Sequence, residues 1–168
     1  SAGKDFSAPP TAGLPAPELT YIDVDPETFQ RRIVLFDTGI ARAATRGLNV
    51  VLEAYLARDR RRYGAIRDSM AIHEQMVAAL RAGDYAGLGR LATRYWELRC
   101  ILDAQATSAA IQQLFEPPVA DLTDGGTLTG AGGGGFGFLV ARDGDEEALR
   151  QALERLRDQR GYGRSSVV

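Results

Sequence analysis

The stretch Leu128-Thr129-Gly130-Ala131-Gly132-Gly133-Gly134-Gly135-Phe136-Gly137-Phe138-Leu139-Val140 decides how this chain reads. From Gly130 to Gly135 every residue but Ala131 is glycine, and a short β-prone apolar run follows. Glycine reaches backbone angles that other residues avoid and lets a ligand approach the main chain closely. Consecutive free N–H groups in such a turn can form a concave anion site. A tightly turned hairpin loop is the plainer alternative. The run is too long for a two-residue hairpin, and strand-like sequence flanks it. A phosphate-facing loop is the preferred reading.

Two familiar glycine motifs are set aside. Gly130, Gly132 and Gly135 satisfy the G-x-G-x-x-G spacing, but that motif should open a helix. Here Phe136 to Ala141 follows, β-prone and about a strand in length. No Gly-Lys-Ser/Thr follows, so this is not a P-loop. What remains is strand, glycine loop, strand.

Length and charge narrow the rest. At 168 residues, one domain with an ordinary core is expected. The net charge of −2 argues against a nucleic-acid partner. Cys100 is the only cysteine, which excludes an internal disulfide and a cysteine metal cluster. No apolar run approaches membrane-spanning length. No secretory signal is visible, and Ser1 reads as a trimmed or fragment start. A cytoplasmic location is the expectation.

Along the chain, residues 1–18 read as a Pro/Ala/Gly-rich linker or extended lead-in, 19–160 as the folded domain and 161–168 as a tail or a last short strand. Leu19 to Val24 alternates like a strand, and Asp25-Pro26-Glu27 reads as a turn. Arg32 to Phe36 reads as a second strand, pairing antiparallel with the first. Helices are expected near 42–57, 63–82, 84–104 and 145–158, with a shorter one over Thr107 to Phe115 stopped by Pro117-Pro118. In the second helix, Ile66, Met70, His73, Val77 and Leu80 share a face. In the third, Asp84 is the N-cap, and Leu88, Leu91, Tyr95, Leu98 and Leu102 form the stripe. Leu149, Ala152, Leu153 and Leu156 point inward from the last. The fold class is α+β, a small antiparallel sheet covered by helices.

Together these residues resemble the C-terminal domain of the GHMP kinases, a small-molecule kinase family with a ferredoxin-like C-terminal fold. Leu128 to Gly135 looks like that family's third motif. Val34-Leu35-Phe36-Asp37-Thr38-Gly39-Ile40-Ala41-Arg42 resembles the strand ending in Thr-Gly, then Arg, of the sugar-1-kinase branch. Tyr95-Trp96-Glu97-Leu98 is similar to a Tyr-Trp-Glu element of L-fucokinases; heptose-phosphate kinases are the nearest alternative. The resemblance covers about Leu19 to Glu154. Ile40 stands where fucokinases usually carry a basic residue, and Arg99-Cys100 where they carry Lys-Lys.

The resemblance implies an ATP- and Mg²⁺-dependent transfer of phosphate to the anomeric hydroxyl of a sugar, L-fucose or a similar one. It implies that Gly130, Ala131, Gly132, Gly133, Gly134 and Gly135 sit against the nucleotide phosphates or support the loop that covers them. That loop, Pro-x-x-x-Gly-Leu-Gly-Ser-Ser, and the acidic residue that handles the substrate hydroxyl belong to an N-terminal half not present here. No catalytic residue and no metal ligand is assigned in this chain, which alone resembles half an active site. A ligand-binding module without catalysis is the reading from another class.

Thr38, Gly39 and Arg42 lie where a strand meets a helix, a place that suits anions. They are assigned to substrate or phosphate, against a surface arginine with a capping threonine. Trp96 is either partly buried core or a platform for the sugar. His73 reads as a core or capped histidine, and Cys100 as inert. Arg58, Arg60, Arg61 and Arg62 read as a solvated helix junction.

Overall fold

A computed structural model describes residues 21–40 and 44–159, with side chains in the second helix described from Asn49 onward. The expected lead-in, the tail, Leu19, Thr20 and Arg42 lie outside the described residues. The chain runs α1 (Pro26–Arg32), β1 (Ile33–Asp37), α2 (Ala44–Leu56), α3 (Arg60–Arg81), α4 (Tyr85–Leu102), α5 (Ala109–Gln112), β2 (Thr123–Leu128), β3 (Phe136–Ala141) and α6 (Glu146–Gln159). Short 3₁₀ turns at Ala104–Ala106, Gln113–Phe115 and Ala120–Leu122 complete the connections. Pro117-Pro118 is a cis peptide.

Among the described residues the expected opening hairpin is absent. Residues 21–25 carry no regular structure, and Asp25-Pro26-Glu27 begins a helix instead of making a turn. The Asp25 side chain accepts from the Thr28 amide at 2.8 Å, Pro26 takes the first helical position, and Arg31 and Arg32 close the last turn. Those are the residues a helix start and end call for. The Thr28 side chain and then its amide hold the Asp25 carboxyl below its ordinary range. This cap therefore persists above that range and weakens only on acidification.

The strand β1 finds its partner at the other end of the chain. The sheet order is β1-β3-β2, antiparallel throughout, with Val34 opposite Leu139 and Phe36 opposite Gly137. Alternation then sorts the faces. Val34, Phe36, Leu128, Leu139 and Ala141 form one core with Leu149, Ala152 and Leu153 of α6, joined by Trp96, Ile111 and Leu114. On the opposite face Val140, with Ile33 and Phe138, meets Tyr85 and Leu88 of α4 and Met76 and Leu80 of α3. Arg32 binds these layers: its Nε donates to the Ala141 carbonyl at 2.8 Å, and its guanidinium meets Asp124 at 2.9 Å and lies over the Tyr85 ring.

The inner face of α3 differs from the expected one. Ala65 and Ile72 are buried, with Ile66 and Met76 packed around them, against Leu98 and Leu102 of α4. Met70 is 67% exposed, and His73 is exposed and not a core residue. Small residues at Ala65 allow the two helices to approach, so the seam falls there and not along the bulkier Met70–His73 line. In α4, Leu88, Leu98 and Leu102 are buried as expected, and Tyr85, Ala92 and Trp96 join them.

The strand β2 lies at the sheet edge, and α4 closes it. The Gly126 amide, which faces away from β3, donates to Thr93 Oγ1 at 3.0 Å. A Cβ at Gly89 would lie 2.7 Å from the Asp124 carbonyl carbon, and one at Gly125 would lie 2.3 Å from the Gly89 carbonyl oxygen. Helix and strand therefore touch backbone to backbone. A Cβ at Gly64, within α3, meets nothing within 4 Å. Gly89→Ala should destabilise the chain by about 1–3 kcal/mol through overpacking, whereas Gly64→Ala should stabilise it by about 0.5–1 kcal/mol. Urea unfolding of the two variants checks this; equal effects would contradict the close approach.

Candidate functional site

The glycine loop spans Thr129 to Gly135 between β2 and β3, and it is framed by three elements. At its exit, the Gly135 carbonyl accepts from both the Thr38 amide and the Thr38 hydroxyl, each at 2.9 Å. The Gly135 amide donates to the Ile40 carbonyl at 3.0 Å. At its centre, the Gly133 amide donates to the Ala106 carbonyl. At its entry, the Arg99 guanidinium, near the end of α4, donates to the Gly130 carbonyl. Thr129 closes the base, its amide and hydroxyl both donating to the Phe136 carbonyl at 2.8 and 2.9 Å.

These bonds revise which groups the loop offers. The glycine run by itself suggests consecutive free amides. The Gly133 and Gly135 amides are instead engaged with carbonyls of the frame. Gly130, Ala131 and Gly134 have amides that make no hydrogen bond among the described residues. Positive φ runs through Gly130, Gly132, Gly133, Gly134 and Gly135, at 64°, 73°, 76°, 154° and 74°. Only glycine sustains such a succession cheaply.

Trp96 is the floor of the loop. It is 6% exposed and stacks on Phe115 with ring centroids 5.9 Å apart. A Cβ at Gly132 would lie 3.1 Å from Trp96 Cη2 and 3.0 Å from Ala106 Cβ. The ring therefore has no open face for a sugar, and the platform reading of Trp96 is replaced by a supporting one. Thr38 is likewise turned inward. It is 3% exposed, and its hydroxyl also accepts the Ile40 amide at 3.3 Å. It pins the loop and is not an open phosphate contact. Gly39, at φ 67°, makes the turn after β1, with its amide on Asp37 Oδ1 at 2.9 Å. Arg42 lies outside the described residues, so its expected contact with substrate or phosphate remains an expectation.

Three supports were missed in the sequence: Ala106, Arg99 and Phe115. Ala106 acts through its carbonyl, which no side-chain pattern reveals. Arg99 carried a signal, since it occupies the place of a basic residue in the resembled element. Cys100 is a free thiol, partly buried, and burial chiefly pushes its pKa up, in keeping with an unreactive cysteine. Among the described residues no group of three or more His, Cys, Asp or Glu side chains is placed to hold a metal ion.

The frame can be tested by deleting it. A Cβ at Gly134 would lie 2.2 Å from the Ile40 carbonyl oxygen, and one at Gly130 would meet nothing within 4 Å. Gly134→Ala should therefore destabilise the fold more than Gly130→Ala, whose cost is the left-handed backbone alone, about 1–2 kcal/mol. Thr38→Val keeps the shape but removes the hydroxyl, and should cost about 1–3 kcal/mol. Thermal unfolding of the three variants measures this, and a Gly134→Ala protein as stable as Gly130→Ala would refute the frame.

Comparison with known proteins agrees with this architecture. Residues 76–159, half of the chain, match the family described as GHMP kinases C terminal. The chain is 33% identical over 129 residues to an Arabidopsis thaliana bifunctional fucokinase/GDP-fucose pyrophosphorylase, covering 76% of this chain and 12% of that protein. It is 29% identical over 110 residues to a Bacteroides fragilis L-fucokinase/L-fucose-1-P guanylyltransferase, covering 66% of this chain and again 12% of the relative. It thus spans a small part of each relative's length. Among solved structures, L. major mevalonate kinase in complex with R-mevalonate superposes with a TM-score of 0.65 at 20% identity, over 80% of this chain and 40% of that one. A Lin0012 protein from Listeria innocua superposes with a TM-score of 0.52 at 16% identity, over 81% and 40%. These two share the fold. With β2, the glycine loop and β3 all inside the matched segment, this chain belongs to the GHMP kinase family, as a C-terminal domain.

Proposed function

We propose that this chain is the C-terminal part of an ATP-dependent kinase that phosphorylates the anomeric hydroxyl of L-fucose or a similar sugar to the sugar 1-phosphate. The observation that carries this reading is the framed glycine loop, with free amides at Gly130, Ala131 and Gly134. The fucokinase names of the two relatives support the choice of sugar. Phosphoryl transfer depends mostly on positioning and on charge stabilisation. Amides held in place before the reaction contribute to both, because they need not reorganise as charge develops. On this reading Gly130, Ala131 and Gly134 would face the nucleotide phosphates or the loop that covers them. Thr38, Ile40, Arg99 and Ala106 would keep those amides in position. Mg²⁺ supplies charge neutralisation when it is bound with the nucleotide. Among the described residues no group of three or more His, Cys, Asp or Glu gathers, and no ligand is assigned to it here.

A half-site open to water cannot orient a γ-phosphate against a sugar hydroxyl. The 168-residue chain alone should therefore show no turnover with L-fucose and Mg-ATP in a coupled ADP-release assay. A longer protein that carries this chain together with the phosphate-covering loop should turn over. In that protein Gly134→Ala should lower kcat by about 10²–10³-fold, because a Cβ against the Ile40 carbonyl forces the Gly134 amide out of position, which equals the loss of one preorganised donor. Turnover by the chain alone at an ordinary kinase rate, or an unchanged kcat in the variant, would overturn the reading.

A further inference from the structure

The junction between α2 and α3 carries a concentration of positive charge that the glycine loop does not explain. Five arginines fall between Arg58 and Arg67 in a chain whose net charge is −2. Arg58, Arg60 and Arg67 line one cleft of about 850 Å³ together with Tyr55, Leu56 and Tyr63. No carboxylate lines it. Of the nearest acidic residues in sequence, Asp59 caps the Arg62 amide at 2.9 Å, and exposed Asp68 pairs with Arg67 itself at 3.6 Å. Among the described residues, Arg58 and Arg60 make no ion pair. Tyr55 and Tyr63 stack across the junction at 5.7 Å, and each remains 49% exposed.

The backbone supplies a second, independent observation. The end of α2 is a Schellman motif: the Arg58 amide donates to the Tyr55 carbonyl at 3.1 Å, and the Asp59 amide to the Ala54 carbonyl at 3.1 Å. The end of α3 is the same motif, with the Gly83 amide on Leu80 and the Asp84 amide on Ala79. The left-handed position is glycine in α3, at φ 68°, but arginine in α2, at φ 53°. Glycine is the favoured residue there. A solvated helix junction would be more stable with glycine at 58. The strained residue is instead one whose side chain lines the cleft, and such strain clusters at ligand sites.

We propose that this cleft binds a nucleoside phosphate, with the phosphate held by Arg58, Arg60 and Arg67 and the base against the exposed tyrosine rings. Guanidinium groups match phosphate oxygens in paired hydrogen bonds. Aromatic rings accept any base by stacking. The concavity and volume suit a small ligand rather than a flat protein surface. The site is built from α2 and α3, which contribute nothing to the glycine-loop frame, and it stands whether or not the kinase reading holds.

The test is calorimetric titration of the 168-residue chain with ADP, adenosine and inorganic pyrophosphate in parallel. ADP should bind more tightly than either of the others. Arg58→Gly should raise the Tm yet weaken ADP binding about tenfold, the loss of one charged hydrogen-bonding partner. A merely structural arginine would not move stability and affinity in opposite directions. Arg60→Gln should weaken ADP binding similarly without changing the Tm. Tyr63→Ala should weaken ADP binding but leave pyrophosphate binding as it was. Arg94→Gln, on α4 and outside the cleft lining, should leave ADP binding intact. Absence of ADP binding at about 1 mM, the weak end of specific affinity, would overturn the proposal. So would binding that ignores Arg58→Gly and Arg60→Gln, or that is lost in Arg94→Gln. A glutamate-rich peptide that binds where ADP does not would overturn it in favour of an acidic protein partner.

Discussion

The contact between the backbones of α4 and β2 is the constraint on which the rest of the domain depends. Gly89 and Gly125 remove the Cβ atoms that would hold helix and strand apart. The helix then runs along the outer edge of the sheet and satisfies it, with Thr93 accepting the outward Gly126 amide. An unpaired edge strand is a template for association with other chains, and here a helix covers it. The same face of α4 continues toward the loop. Trp96 comes to lie beneath Gly132, and Arg99 reaches the Gly130 carbonyl. One close approach near the start of α4 thus sets where two supports of the loop end up, about two to three turns later by helix geometry.

The loop itself combines two roles that compete for the same atoms. An anion site needs free amides, whereas a defined shape needs amides that are bonded. The structure divides them along the sequence. Gly133 and Gly135 donate to the frame, and Gly130, Ala131 and Gly134 do not. Glycine is needed at both kinds of position, for different reasons. At Gly134 a side chain would collide with the Ile40 carbonyl, and at Gly130 space is open but the backbone is left-handed. A loop of fewer glycines could satisfy one demand or the other. Holding donors in place on packed elements rather than on a free hairpin is how a site acquires preorganisation.

Much of this was legible in the chain itself. The β3 strand, Phe136–Ala141, stands where its apolar run placed it, and Asp84 caps α4 through the Gly87 amide at 2.7 Å. Both are local signals, a run of β-prone residues and a side chain three positions from an orphan amide, so no distant partner is needed to read them. Asp25-Pro26 was misread because a turn and a helix start use the same residues. What separated them was the pair Arg31 and Arg32 at the far end of one short helix, where Arg32 is held by Ala141 and Asp124 from the other end of the chain.

The sequence by itself therefore determined the fold class, the family resemblance and the position of the glycine loop, because periodicity and glycine clustering act within a few residues. Only the tertiary structure decided the strand order β1-β3-β2, the burial of Trp96 and the division of the loop's amides into bonded and free. Each of these depends on which carbonyl or ring is brought opposite a given residue. Gly133 meets Ala106, Gly135 meets Thr38 and Ile40, and β1 meets β3, across separations that no local pattern encodes. A backbone carbonyl is present at every position of the chain, so its identity gives no sign of which one will receive a hydrogen bond.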